Sequence, residues 1–152
     1  MAESLEYCRK AKGLLLFAYC ILPSHVHLIF KDKNKNPGNL LKEIKTFTSK
    51  QLQIQIQENP QESRKEWLLW LMHRAGKKNT NVKNSQFWQQ HNKLIELWSN
   101  KVIDQKIEYV HNNPVDAGFV IKPEHWKYSS ASNYAGLGGA IEIDKIDVRL
   151  YN

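Results

Sequence analysis

The sequence predicts an α+β domain built on an antiparallel strand pair with helices packed against it, on three observations. Two runs rich in β-branched, aromatic and large aliphatic residues, 14–22 (LLLFAYCIL) and 25–30 (HVHLIF), are separated only by Pro23 and Ser24. That is the pattern of two paired strands joined by a tight turn. Segments with apolar residues at three- and four-residue spacing lie on either side of this hairpin, as in helices buried along one stripe. Finally, 152 residues with 41% hydrophobic content and five Trp are enough for one hydrophobic core, so residues 1–152 are read as a single domain.

In chain order, residues 3–12 (ESLEYCRKAK) form the first expected helix, with Leu5 and Cys8 on one face. Gly13 stands where a helix-terminating glycine belongs. The strand pair follows, with Val26 expected in the core between two histidines. A polar loop, 31–38 (KDKNKNPG), leads to a helix from residue 39, carried by Leu40, Leu41, Ile44, Phe47 and Leu52 and ending before Pro60. Residues 61–75 (QESRKEWLLWLMHRA) read as a further short helix, and 75–85 (AGKKNTNVKNS) as a loop; the stretch 60–84 has the character of an insertion or variable subdomain. Residues 87–98 (FWQQHNKLIELW) alternate imperfectly and suggest one or two short strands. Ser99 or Asn100 then caps a helix over 101–112, which Asn113-Pro114 is expected to end because a residue before proline avoids helical geometry. The tail, 136–152, carries little signal.

Composition narrows the function. The longest apolar run is nine residues, against roughly 20 for a membrane-spanning helix, so no membrane partner is expected. The acidic N-terminus lacks a secretory h-region, and a cytoplasmic location is the expectation. Cys8 and Cys20 have neither disulfide-framework nor zinc-cluster spacing and read as small buried hydrophobes. The net charge is +7, and residues 31–83 alone hold twelve Lys/Arg against five Asp/Glu. Basic excess concentrated in one region is the footprint of a polyanion binder, since phosphates neutralised by Lys and Arg release condensed counterions. The candidates are Lys31, Lys33 and Lys35 after the second strand, Lys42, Lys45 and Lys50 on the next helix, and Arg74, Lys77 and Lys78 in the loop region. Trp88 is a candidate for stacking on an unpaired base.

Four residues carry possible chemistry. In a strand, His25 and His27 project to the same side, about 7 Å apart, close enough to share a divalent metal. On the later helix, Ile103, Ile107 and Val110 share the face that packs on the sheet. Tyr109 and Asn113 then sit together, one turn apart, on a flank about 90° away. An amide oxygen suits Mg2+ or Mn2+, and a tyrosine beside such an ion can attack a polarised phosphodiester. Taken singly, a strand HxH is a common pair of packed histidines, Tyr109 a packing tyrosine, and Asn113 a helix cap before Pro114.

Taken together, PSHVHLIF (23–30), YVHNNPVDAGFV (109–120) and KYSSASNY (127–134) resemble the HUH single-tyrosine transposases, and among them the REP-associated tyrosine transposases. The likeness covers roughly residues 3–134. It implies a ferredoxin-like (RRM-like) antiparallel sheet with the His-containing strand at its centre and the tyrosine helix over one face. Chains of this kind carry, before the first helix, a first β-strand that pairs beside the His-containing strand; the expectation is that this chain is a fragment, or that residues 141–147 or a partner's strand fill that place. The resemblance assigns the nucleophile to Tyr109 and the metal ligands to His25, His27 and Asn113. It implies cleavage and rejoining of single-stranded DNA at hairpin or palindromic sites through a 5′-phosphotyrosine, with Mg2+ or Mn2+ as cofactor and either a homodimer or a monomer. No general base is evident; His111 is turned away from Tyr109 by helical spacing. The competing expectation is a truncated, catalytically inactive remnant that binds DNA, and a structural zinc site lacks further ligands at useful spacing.

Overall fold

The computed structural model describes residues 1–80, 84–90, 92 and 94–146. Parts of the expected loop at 75–85, of the expected strands at 87–98 and of the tail beyond 146 lie outside the described residues. Helix α1 (Ala2–Ala11) leads through Gly13, at φ +80°, into strands β1 (Leu14–Ile21) and β2 (Val26–Asp32). Helices α2 (Pro37–Glu58), α3 (Lys65–Lys77), α4 (Asn100–Asp116) and the short α5 (Ala131–Tyr134) follow, with a 3₁₀ turn at Pro123–His125. The chain divides into two compact units, residues 1–40 with 95–152 and residues 41–94.

The first unit holds the sheet. Strands β1 and β2 pair antiparallel with Cys20 opposite His27 and Tyr19 opposite Leu28, and a bulge between Leu16 and Ala18 shifts the register. The expected hairpin is present. Its turn is closed by the Leu22 amide donating to the His25 carbonyl. β1 is the more buried strand because its other edge is occupied as well. The Ile21 amide donates to the Tyr128 carbonyl, the Ser130 amide to the Tyr19 carbonyl, and the Asp144 amide to the Leu16 carbonyl at 2.7 Å. The Asp144 carboxylate in turn accepts the Leu16 amide and the Arg9 guanidinium. Residues 141–146 therefore run along the outer edge of β1, not beside the His-containing strand where a replacement for the first strand was expected. The described residues of this first unit form a mixed α and β fold around a two-stranded antiparallel sheet.

Helix α4 lies over one face of this sheet. Ile103 and Ile107 pack with Ala18 and Ile29, and Val110 with Cys20 and Leu22. The inward stripe matches the spacing read from the sequence. Ser99 caps the helix by accepting the Val102 amide.

Three expectations need correction. Helix α4 runs through Pro114 to Asp116 instead of stopping at Asn113. Pro114 is fully buried, and its carbonyl collects the Phe119 amide in a tight helix end, so packing outweighs the lost hydrogen bond. Second, residues 87–98 show no strand among the described positions. Their polar groups are taken by side chains: Lys45 donates to the Gln89 carbonyl, Gln86 to the Trp88 carbonyl and the Trp88 indole to Thr48. Third, Val26 is only half-buried. The face β2 turns toward α4 is the one shared by His27 and Ile29, because the helix covers the histidine side.

Candidate functional site

Three local features converge at the Leu22–His25 end of the hairpin. The turn Pro23-Ser24 presents His25 just before β2, where Ser24 Oγ lies 2.9 Å from His25 Nδ1. One pleat on, His27 points toward α4. The two imidazoles stand edge to face with centroids 4.9 Å apart. Helix α4 crosses this face with Tyr109 outward, and the His27 and Tyr109 rings also meet edge to face, at 5.5 Å.

Because α4 continues through Asn113, that residue stays in helical register one turn beyond Tyr109. Its amide nitrogen donates to the Tyr109 carbonyl at 2.8 Å, which leaves the amide oxygen available toward His27. His25, His27, Tyr109 and Asn113 are thus brought together. Burial pushes the His27 pKa down, the neighbouring His25 adds to this, and Asn113 partly offsets it. This lowering favours the neutral imidazole, the form that coordinates metals. Its Nε2 is buried without a hydrogen-bond partner. An orphaned buried nitrogen is costly unless something is to bind it. With one amide oxygen and two imidazole nitrogens, the set fits a divalent cation with open positions for substrate.

Among the described residues, no three His, Cys, Asp or Glu side chains cluster to hold a metal. Tyr109 is half exposed. One residue was not singled out in the sequence. The Lys106 ammonium lies 5.6 Å from the Tyr109 ring centroid, one helical turn earlier, and supplies a positive charge beside the phenol. The signal was its three-residue spacing from Tyr109.

Behind this cluster a buried lock fixes the tyrosine helix to the sheet. Ser130, fully buried, accepts the Tyr19 amide at 2.9 Å, lies 2.8 Å from His111 Nε2 and donates to the Tyr19 carbonyl at 3.2 Å. His111 is pushed down to about 4 by burial and packs against Tyr134. It is a structural pin turned to the opposite flank from Tyr109. Cys20, buried in β1, has its thiol pushed up to about 11 by burial, and Cys8 is buried too.

The basic candidates fall in two groups. Lys31, Lys33 and Lys35 are exposed at the end of β2 and in the following loop, which the buried Asp32 braces by accepting the Asn34 and Asn36 amides. The second unit carries the rest. Lys42, Lys50, Arg74, Lys77 and Lys78 are exposed, whereas Lys45 is held by the Gln89 carbonyl and Asn92. Trp88 is half-buried, its indole bonded to Thr48 and Lys45 6.0 Å from its ring centroid. No described helix is long and apolar enough to cross a membrane.

Comparison with known proteins adds one relationship. Over 120 residues the chain is 28% identical to a curated Haemophilus influenzae protein whose assigned name is that of a REP-associated tyrosine transposase, covering 74% of this chain. This chain spans 56% of that relative's length. The similarity supports the relationship suggested by the motifs. No protein-family profile matches the chain, and no solved structure matches it.

Proposed function

We propose that this chain is a metal-dependent tyrosine nuclease and strand transferase of DNA transposition, acting on single-stranded DNA at hairpin or palindromic sites. One observation carries the reading: Tyr109 stands against His27, with Asn113 one turn beyond it on the same helix. The similarity to a relative named as a tyrosine transposase supports it. Mg2+ or Mn2+ held by His25, His27 and Asn113 would supply the positive charge that polarises the scissile phosphate.

The remaining roles belong to the chain itself. The half-exposed Tyr109 presents its phenol oxygen to phosphorus. The phenol gives up its proton as its oxygen bonds to phosphorus, the bond from phosphorus to the 3′ oxygen breaks, and the leaving oxygen takes up a proton to become a free 3′-hydroxyl. The DNA stays attached through a 5′-phosphotyrosine whose bond energy is conserved, so attack by another strand's 3′-hydroxyl reverses the step and joins DNA. Lys106 offers its charge to the phosphate as it approaches the phenol. The Ser130–His111 lock holds α4 so that Tyr109 and Asn113 keep their places over His27.

A second reading has support of its own, from the charge of residues 41–94, which hold ten Lys/Arg against four Glu. DNA binding without chemistry would need only that surface. Incubating end-labelled hairpin DNAs with the protein and Mg2+ or Mn2+, followed by denaturing electrophoresis, separates the two. A covalent adduct absent from Tyr109→Phe, from His27→Ala and in EDTA supports the nuclease. Salt-sensitive binding with no adduct from any hairpin supports the binding-only reading.

A further inference from the structure

Helix α3 has an apolar face to spare. One side is buried as amphipathic helices are, through Met72 and Gly76 with Leu68 and Leu69 half-buried. Gly76 lies so close to the following chain that a Cβ there would meet the Ser85 Cα at 2.8 Å. The other side exposes Trp67 (54%), Trp70 (51%) and Leu71 (36%). Counted at 100° per residue, Trp67, Trp70, Leu71, Arg74, Lys77 and Lys78 fall within an arc of about 120°. Two tryptophans set outward on one stripe, when the same helix already has a buried face, mark a surface that binds something.

The charge around them indicates what. The Arg74 guanidinium lies over Trp70, 5.1 Å from the ring centroid, and Lys77 and Lys78 continue the stripe as exposed cations. The unit they belong to, residues 41–94, carries ten Lys/Arg against four Glu. Lysines are depleted from the cores of protein interfaces. Exposed indole planes among cations are instead the makings of single-strand recognition, with bases stacked on rings and the backbone followed by charge.

We propose that Trp67, Trp70 and Arg74 of α3 form a stacking platform for unpaired bases of single-stranded DNA, with Lys77 and Lys78 on the phosphates. The proposal rests on the reading of this chain as a DNA-acting protein, and not on the tyrosine chemistry. Arg74 occupies one face of Trp70, which leaves the rest of that indole and Trp67 for bases.

The test is fluorescence anisotropy of labelled oligothymidine with the whole protein in EDTA, comparing wild type, a Trp67→Ala/Trp70→Ala pair and a Trp67→Phe/Trp70→Phe pair. The alanine pair is expected to weaken binding about tenfold or more and the phenylalanine pair to stay within about threefold. Where the alanine pair melts early, a Trp67→Gln/Trp70→Gln pair takes its place with the same expected loss. Wild-type affinity in a folded ring-less pair overturns the platform. So does a change of association state on sedimentation with oligothymidine binding intact, which would assign the stripe to a second copy. Loss of oligothymidine binding in the ring-less pair without any covalent adduct from wild type would leave the platform standing and remove the nuclease.

Discussion

Replacing Ser130 by Ala should unpin the tyrosine helix from the sheet, and its cost can be worked from the hydrogen bonds. The hydroxyl serves the Tyr19 amide at 2.9 Å and His111 Nε2 at 2.8 Å, both inside the core. The Tyr19 carbonyl keeps its other donor, the Ser130 amide at 2.9 Å, so it is not orphaned. Two buried polar groups therefore lose their partners in either tautomer of His111, at about 1–3 kcal/mol each. A loss of roughly 2–6 kcal/mol corresponds to about 6–18 °C in Tm for a chain of this size. Thermal unfolding at pH 7 by circular dichroism measures it, with Ser132→Ala, whose half-buried hydroxyl donates to the Ser129 carbonyl, as the control. A double-mutant cycle with His111→Ala should return a coupling of about 0.5–3 kcal/mol. A Ser130→Ala protein within about 0.5 kcal/mol of wild type, or an additive cycle, would refute the lock.

Further outcomes follow from other parts of the molecule. Partial burial pushes the Asp144 carboxyl up, but the Arg9 guanidinium and the Leu16 amide outweigh it and hold it below its ordinary value. The unfolded chain binds the proton first, so this contribution is complete at neutral pH and is lost as pH falls below the ordinary carboxylate range through the lowered pKa. Asp144→Asn should thus be less stable than wild type at pH 7, and urea titrations should show the gap closing under acid; a gap that persists unchanged would contradict this. Gly76→Ala, which helix propensity would score as a gain of about 1 kcal/mol, should destabilise instead because the new Cβ meets the Ser85 and Asn84 backbone at 2.8–2.9 Å. A raised midpoint in chemical denaturation would count against that close approach. Lys106→Ala should slow adduct formation several-fold with little change in oligothymidine binding, read by single-turnover quenching; an unchanged rate would remove Lys106 from the site.

What could be read from the sequence was local. Residues 14–30 announce a hairpin because two β-rich runs meet at Pro23-Ser24, and Ser99 with Ile103, Ile107 and Val110 announces a capped helix with one buried stripe. Helical spacing alone also makes Tyr109 and Asn113 neighbours. Non-local choices were not legible. That α4 lies on the His27 face depends on which side of β2 the helix covers, and no periodicity encodes this. The Ser130–His111 contact spans 19 residues and the Asp144–Leu16 contact 128, so the tail beyond residue 136 carried no pattern although it completes the edge of β1. Pro114 misled because its rule is a local preference, and burial of its ring in the core overrides it. In residues 87–98 alternation suggested strands, yet side chains from α2 and neighbouring residues take the polar groups a partner strand would have needed. Residues 61–75 read in sequence only as a short helix, and it is the structure that shows α3 burying Met72 and Gly76 while Trp67 and Trp70 face outward.

Tandem mass spectrometry of the protein after reaction with hairpin DNA, Mn2+ and nuclease trimming reads out which residue forms the bond to DNA. The expected product is a nucleotide joined through its 5′-phosphate to the peptide carrying Tyr109, absent when EDTA is present. A nucleotide on any other residue, or DNA cut with none attached to the protein, would contradict it.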